Sequence, residues 1–152
     1  MRAVIQRVSS AEIIIDHQYS NGAIGQGLLV LLGVMQGDGK EQAEFLAKKI
    51  TGLRIFSDDA GKQNLSLQDV GGELLVVSNF TLGADCSHGR RPFYAQAARP
   101  EEAEALYEHF LACVRQEQKK PVVTGVFGAH MEIQMAADGP VTIWLDTETL
   151  GK

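Results

Sequence analysis

Two short polar segments carry the side chains best suited to chemistry. Ser78 to Leu82 reads Ser-Asn-Phe-Thr-Leu and places two hydroxyls and an amide directly after an apolar run. Taken alone, Ser78 and Thr81 would most simply satisfy backbone groups where a strand ends. Asp138-Gly139-Pro140 is, by itself, typical of a tight turn between two strands, because Asp and Gly supply turn geometry.

The usual hydrolytic constellations are missing or weak. Cys86 and His88 are two residues apart, and an imidazole can activate a thiol, but the stretch that continues to Pro92 is typical of a polar surface loop. The sequence has no GxSxG elbow and no P-loop, and Gly25-Gln26-Gly27 is a lone GxG that favours a bend. The four histidines lack paired-ligand spacing, so we expect no metal and no other cofactor, with a zinc site of scattered residues left as an alternative.

Strand-like runs surround both segments. They lie at residues 3–8, 11–15, 28–34 and 73–77, and Ser20-Asn21-Gly22 forms a polar break between two of them. Two further runs, Met131 to Met135 and Val141 to Leu145, flank the segment 136–140. We therefore predict that the first polar segment ends one strand and the second joins two strands.

Apolar residues at helical spacing predict two helices. The first runs from Lys40 to Leu53 with Asp38 as its N-cap, and the second from Pro100 to Arg115 with Cys113 on its buried stripe. We predict one domain, residues 1–152, of the α/β (α+β-like) class, with a largely antiparallel, barrel-like sheet covered by the two helices.

Composition and charge limit the kinds of partner that the protein can bind. Fourteen basic and nineteen acidic side chains give a net charge of −5, the wrong sign for gripping many phosphates. We therefore expect no DNA partner, and an RNA held at one end or by a local basic patch such as Arg90 and Arg91. Two cysteines without CxxC spacing, no signal-like start and no apolar stretch long enough for a bilayer predict a cytoplasmic protein without membrane contact.

The two polar segments together resemble the motifs of the D-aminoacyl-tRNA deacylases, the D-tyrosyl-tRNA deacylase family. Ser78 to Leu82 resembles S-Q-F-T-L, and Ala137 to Thr142 resembles N-x-G-P-V-T. Five further blocks look familiar in the same order: Gln6-Arg7-Val8, 53–56, 69–72, 89–92 and 124–129. Two positions depart from the family, since Asn79 replaces Gln and Ala137 replaces Asn.

The resemblance implies an editing enzyme that hydrolyses the ester of D-aminoacyl-tRNA to free amino acid and tRNA. Backbone groups of Ser78, Asn79, Phe80 and Thr81 would surround the ester, and the terminal ribose 2′-hydroxyl would assist. An aminoacyl ester is already activated, so a positioned water and preorganised oxyanion donors suffice without a covalent nucleophile. Glycyl-tRNA is expected to be cleaved too, because glycine has no substituent to exclude.

Chirality would be read by main-chain carbonyls. The resemblance implies that Gly139 and Pro140, joined by a cis bond, enter the pocket of a partner protomer and reject L-aminoacyl groups, which requires a homodimer. It also implies that Arg7 braces this turn and that Phe127 and Met131 hold the terminal adenosine of the 3′ acceptor end.

Three other functions remain open at this stage. A deacylase of the same architecture with relaxed chirality would edit an L-aminoacyl-tRNA, and the departures at Asn79 and Ala137 favour it. A non-catalytic module that binds the aminoacyl-tRNA end would explain the missing catalytic side chains. A hydrolase dependent on Cys86 is the third.

Overall fold

Two helices and a mixed sheet dominate the computed structural model, which describes residues 1–151. In chain order the elements are β1 (Arg2–Ile15), β2 (Tyr19–Ile24), β3 (Gly27–Gly33), α1 (Lys40–Gly52), β4 (Phe56–Ser57), β5 (Gln63–Leu65), β6 (Glu73–Ser78), a 3-10 helix (Phe80–Gly83), α2 (Pro100–Glu117), β7 (Val122–Thr124) and β8 (Met131–Asp146). Both predicted helices are confirmed, with ends that shift by one or two residues.

The sheet curls until its edges meet. Its strand order is β2-β1-β3-β6-β7, and β8 also pairs with β1. β1 runs antiparallel to β2, β3 and β8, whereas β3, β6 and β7 are mutually parallel. The Asn21 side-chain amide donates to the Thr124 carbonyl at 2.6 Å, which links β2 to β7. The predicted barrel-like, largely antiparallel sheet with two covering helices is therefore confirmed.

The central strand β3 is buried on both faces. Leu28, Val30 and Leu32 pack with the helices in one apolar cluster, while Leu29 belongs to a second cluster on the opposite face. A strand covered on both sides needs apolar residues at every position rather than at alternate ones. Burial on both faces therefore explains the continuous apolar run from residue 28. The parallel pairing of β3 with β6 places the ends of these two strands side by side.

Several predicted strand boundaries are wrong. Residues 3–8 and 11–15 form one strand, β1, because the exposed Ser9-Ser10 pair shifts the register instead of ending the strand. Ser20-Asn21-Gly22 lies inside β2 rather than in a break. Likewise, the two runs around 136–140 belong to the single strand β8. In each case pairing with a neighbouring strand carries polar residues through: β8 supports β1, and β1 supports β2 and β8.

Two side chains near the helices lie in environments other than those predicted. Asp38 does not cap α1: the N-cap is Gly39, and the Asp38 carboxylate accepts hydrogen bonds from the Met35 amide at 2.6 Å and the Met1 amino group at 2.7 Å. Cys113 is only half-buried, because α2 turns Tyr107 and its neighbours toward the core instead.

Within residues 1–151 no helix combines the length and the apolar character needed to cross a membrane.

Candidate active site

A cavity of about 690 Å³ opens where the parallel strands β3 and β6 end. Leu32 and Ser78 are paired in register at that end. Around them the wall is completed by the 3-10 helix, by the segment before α2 and the first turns of α2, and by residues 127–131. The carboxyl ends of neighbouring parallel strands are common places for ligand sites, because no strand continues to fill the space beyond them.

Ser78, Asn79 and Phe80 line this cavity, whereas Thr81 does not. The backbone amide of Asn79 donates to the Leu32 carbonyl at 2.8 Å, which fixes the position of the chain where it leaves β6. The Asn79 side chain caps the 3-10 helix: its oxygen accepts from the Thr81 amide at 3.2 Å and from the Thr81 hydroxyl. Asn79, one of the two departures from the family motif, is therefore engaged with Thr81.

Two donors beside the cavity have no partner among residues 1–151. The Phe80 amide begins the 3-10 helix, so no carbonyl within the helix can accept from it, and no other group does so. The Ser78 hydroxyl is also without a hydrogen bond to described residues, although it lines the cavity. These groups are available to a ligand, which is the requirement for an oxyanion or water site.

Another part of the wall contains the apolar side chains of Phe127 and Met131. The Phe127 ring centroid is 5.9 Å from that of Tyr107, whose hydroxyl donates to the Val76 carbonyl at 3.2 Å. Burial raises the pKa of Tyr107 above its ordinary value, so this hydroxyl stays protonated. Met131 fills the space beside Gly125, where an added Cβ would lie 2.4 Å from the Met131 sulfur.

Among the cavity residues that were not predicted from the sequence, three carry polar side chains: Tyr94, Tyr107 and His130. Tyr107 does not belong to the apolar stripe that predicted α2. Its burial shows that the buried face of the helix is rotated relative to that stripe. Tyr94 and His130 each follow one of the blocks shared with the family, so those blocks were the available signal. The His130 ring stacks on His17 at 4.6 Å.

The Asp138–Val141 segment loops out of β8. Val8 pairs with Ala137 and Gln6 with Thr142, so Arg7 alone faces these four residues. Gly139 has a φ of +127°, and the Gly139–Pro140 peptide bond is cis. Both residues are exposed.

Arg7 ties this loop to the body of the protein. Its Nε donates to the Asp138 carbonyl at 3.2 Å and lies 3.4 Å from the Asp138 carboxylate. Its Nη1 donates to the carbonyl of the buried Ile55 at 2.8 Å. The side chain of Arg7 is largely covered, with 12% of its surface exposed. One guanidinium therefore holds two backbone segments at a fixed separation.

The predicted site residues consequently fall into two groups. The cavity brings together Ser78, Asn79, Phe80, Phe127 and Met131. The remaining four, Arg7, Thr81, Gly139 and Pro140, do not line it. The exposed Gly139–Pro140 loop lies outside the cavity of its own chain.

The geometry of the described residues does not support the Cys86-dependent hydrolase or the zinc site. Cys86 is exposed, and His88 Nδ1 is paired with the Ser87 hydroxyl at 2.9 Å rather than with a thiol. Burial, with Glu44 and Glu117 nearby, raises the pKa of the Cys113 thiol. Among residues 1–151, no group of three or more His, Cys, Asp or Glu side chains is placed to hold a metal ion.

Solved structures define the class of this fold. A structure of a c-Myc DNA unwinding element binding protein superposes with a TM-score of 0.90 at 38% identity and covers 96% of this chain and 98% of that one. A structure of a probable eukaryotic D-amino acid tRNA deacylase has a TM-score of 0.82 at 16% identity, covers 95% and 97% of the two chains, and supports the fold alone.

Sequence relatives then define the family. The model of the D-Tyr-tRNA(Tyr) deacylase family matches residues 4–146. D-aminoacyl-tRNA deacylases of Thermotoga petrophila and Thermomicrobium roseum are 51% and 53% identical to this chain; each alignment covers 99% of it, with 99% and 96% of the relatives covered. The chain belongs to the D-Tyr-tRNA(Tyr) deacylase family.

Proposed function

We propose that this protein hydrolyses the ester bond of D-aminoacyl-tRNA at the cavity beside Ser78, releasing the free D-amino acid and tRNA. Membership of the deacylase family makes it a carboxylic ester hydrolase that acts on aminoacyl-tRNA. The observation that carries the placement is the pair of free donors, the Ser78 hydroxyl and the Phe80 backbone amide, in the wall of a largely apolar cavity.

The reaction needs only water and these preorganised donors. Water adds to the ester carbonyl carbon, and the Phe80 amide donates to the oxyanion as its charge develops. The bond to the ribose oxygen then breaks, that oxygen takes one proton of the water, and the amino acid leaves as its carboxylate while the second proton passes to solvent. The Ser78 hydroxyl positions the attacking water, and the neighbouring ribose 2′-hydroxyl assists proton transfer. No covalent intermediate is required, because the ester is already activated.

The adenosine of the 3′ acceptor end would occupy the apolar wall. Phe127 offers an aromatic face for stacking, and Met131 offers an adaptable thioether. This orientation directs the aminoacyl group toward Ser78 and Phe80. The substrate class also supports a cytoplasmic location, where aminoacyl-tRNAs supply translation.

A second copy of the chain completes the site in this proposal. Gly139 and Pro140 are exposed, follow the Asp138 carbonyl that Arg7 holds, and lie outside the cavity of their own chain. Inserted into the cavity of a partner, their carbonyls would receive the substrate amino group and exclude an L-substituent from the α-carbon. Such a contact is reciprocal in a twofold dimer, so each chain would supply one loop and one cavity.

Mixed dimers test this arrangement. Ala129→Trp fills the cavity, and Gly139→Val distorts a loop residue whose φ is +127°. Chains carrying different tags are coexpressed, the mixed dimer is isolated through both tags, and D-tyrosyl-tRNA hydrolysis is measured.

The two placements of the changes give opposite expectations. With one change in each chain, one complete site of two remains, and about half of the wild-type rate is expected. With both changes in the same chain, the mixed dimer should be inactive. If the results are reversed, the site lies within one chain and the exchange of loops is wrong.

A further inference from the structure

A short hairpin projects beside the cavity at residues 84–94, here called the basic hairpin. Asp85 and Phe93 exchange both backbone hydrogen bonds, at 2.7 and 2.9 Å, and close the loop between them. The Asp85 carboxylate accepts from the Ser87 backbone amide at 2.9 Å, and hydrogen bonds from the Ser87 side chain and backbone lower the pKa of Asp85. The loop is thus ordered by its own contacts.

The base of the basic hairpin is attached to the body and to the cavity wall. Gln36 donates through its side chain to the Ala95 carbonyl at 2.7 Å and through its amide to the Gln96 carbonyl at 2.8 Å. Tyr94 lines the cavity, and its ring meets the edge of Phe80 at 5.1 Å. The hairpin therefore continues the cavity wall outward.

Its outer part presents two cations and an aromatic ring to solvent. Arg90 and Arg91 are exposed and make no ion pair or hydrogen bond with residues 1–151. Phe93 has 65% of its surface exposed, although nothing in the core requires a ring there. Two residues lie between Arg91 and Tyr94, so these three steps of chain span about 11 Å at most.

This placement is notable on a protein of net charge −5. Among the other arginines, Arg2 pairs with Asp146 and Arg7 with Asp138, while the remaining three have no cationic neighbour in the sequence: Arg54, Arg99 and Arg115. An aromatic side chain interleaved with unpaired cations is the composition that binds single-stranded nucleic acid, where bases stack and phosphates meet positive charge.

We infer that the basic hairpin binds the single-stranded 3′ end of the tRNA just before the terminal adenosine, with Arg90 and Arg91 on phosphates and Phe93 stacked on a base. This rests on the proposed function, because it assumes that the aminoacyl adenosine occupies the adjoining cavity. Since the contacts lie on the strand next to the ester, they add affinity without requiring contact along the tRNA body.

The test compares two substrates, D-tyrosyl-tRNA and D-tyrosyl-adenosine. The first variant carries Arg90→Gln with Arg91→Gln. Its matched control carries Lys119→Gln with Lys120→Gln, another adjacent pair of exposed cations, so the net charge changes equally. A second variant is Phe93→Ala, with Phe93→Trp as the conservative replacement. Oligomeric state is measured for each protein by sedimentation.

Loss of both arginines should lower kcat/KM for D-tyrosyl-tRNA about 25-fold at 0.1 M salt and little at 1 M, since each single-strand phosphate contact adds about 0.7 to the log–log salt slope. The slope should fall by about 1.4. Phe93→Ala should lower kcat/KM on tRNA roughly 5- to 150-fold, and Phe93→Trp should restore it. Rates on D-tyrosyl-adenosine should stay within about twofold, and the lysine control should behave as wild type.

Several outcomes would overturn the inference. Equal losses on both substrates would place the hairpin in the chemistry of the cavity instead. An unchanged salt slope, or a control that loses as much, would leave the arginines as ordinary solvated charges. A change in oligomeric state would assign the hairpin to a protein interface. Failure of the proposed function itself looks different, because the wild-type protein would then cleave neither substrate.

Discussion

Removing the Arg7 side chain should lower activity strongly while the protein stays folded at 25 °C. Arg7→Ala leaves the buried Ile55 carbonyl without its donor at 2.8 Å, at a cost of about 1–3 kcal/mol. The Asp138 carboxylate is half exposed, so the loss of that ion pair adds only about 0–1 kcal/mol. At about 2–4 °C per kcal/mol for a domain of this size, Tm should fall by roughly 2–16 °C.

The effect on catalysis follows from position rather than stability. Arg7 holds the Asp138 carbonyl next to Gly139, and without it the loop can move by an ångström or more. A displacement of that size at a reacting centre costs on the order of 100-fold in rate. We therefore expect kcat for D-tyrosyl-tRNA to fall about 100-fold at 25 °C, a temperature at which the variant is still folded.

Two further substitutions separate the backbone contact from the charge. Arg7→Lys keeps the charge but offers no planar fork, so it should satisfy one of the two carbonyls at a time and give an intermediate rate. Asp138→Asn keeps the backbone acceptor and removes an exposed ion pair of about 0–1 kcal/mol, so kcat should change by at most about fivefold. Arg115→Ala, on the exposed face of α2, is the control.

The assay is deacylation of D-tyrosyl-tRNA by the purified variants, with thermal unfolding followed in parallel. The reasoning is wrong if Arg7→Ala loses no more activity than Arg115→Ala. It is also wrong if Asp138→Asn is as damaging as Arg7→Ala, because the carboxylate rather than the backbone carbonyl would then be the essential acceptor.

Four other predictions follow from the same structure. Cys86→Ala should retain near-normal deacylation, and a collapse of several hundredfold would establish a thiol mechanism. Iodoacetamide at pH 8 should label exposed Cys86 before Cys113, whose raised pKa keeps its thiol protonated; mass spectrometry showing the reverse order would contradict this. Gly125→Ala should displace Met131 and raise KM for D-tyrosyl-tRNA, and an unchanged KM would remove Met131 from the substrate wall. Glycyl-tRNA should be cleaved while L-alanyl-tRNA resists; equal resistance of the two would show that chirality is not read by exclusion at the α-carbon.

The elements whose own residues determine them could be predicted from the sequence. Apolar residues at helical spacing predicted both helices. A continuous apolar run predicted β3, because a strand buried on both faces is apolar at every position, whichever elements cover it. The two motifs located Ser78 to Phe80 at a strand end and Gly139–Pro140 between two runs. These are local properties, so a local pattern is enough.

What depends on a distant partner could not be read locally. Ser9-Ser10 and the 136–140 segment look like breaks, yet β1 and β8 run through them because each supplies the hydrogen bonds of the other. The cavity joins Tyr94, Tyr107 and His130 from three parts of the chain. The free Phe80 amide is also invisible in the sequence, since a backbone donor is defined by the acceptors that it lacks.

The central claim is that this protein hydrolyses D-aminoacyl-tRNA and excludes the L-form at the α-carbon. The most direct measurement is the initial rate of hydrolysis of D-tyrosyl-tRNA and L-tyrosyl-tRNA, prepared on the same tRNA, by the purified wild-type protein. We predict that the D-ester is cleaved more than about 200-fold faster, beyond the discrimination that an apolar pocket gives for a small difference in shape. Comparable rates on the two esters would contradict exclusion at the α-carbon, and no cleavage of the D-ester would contradict the proposed activity itself.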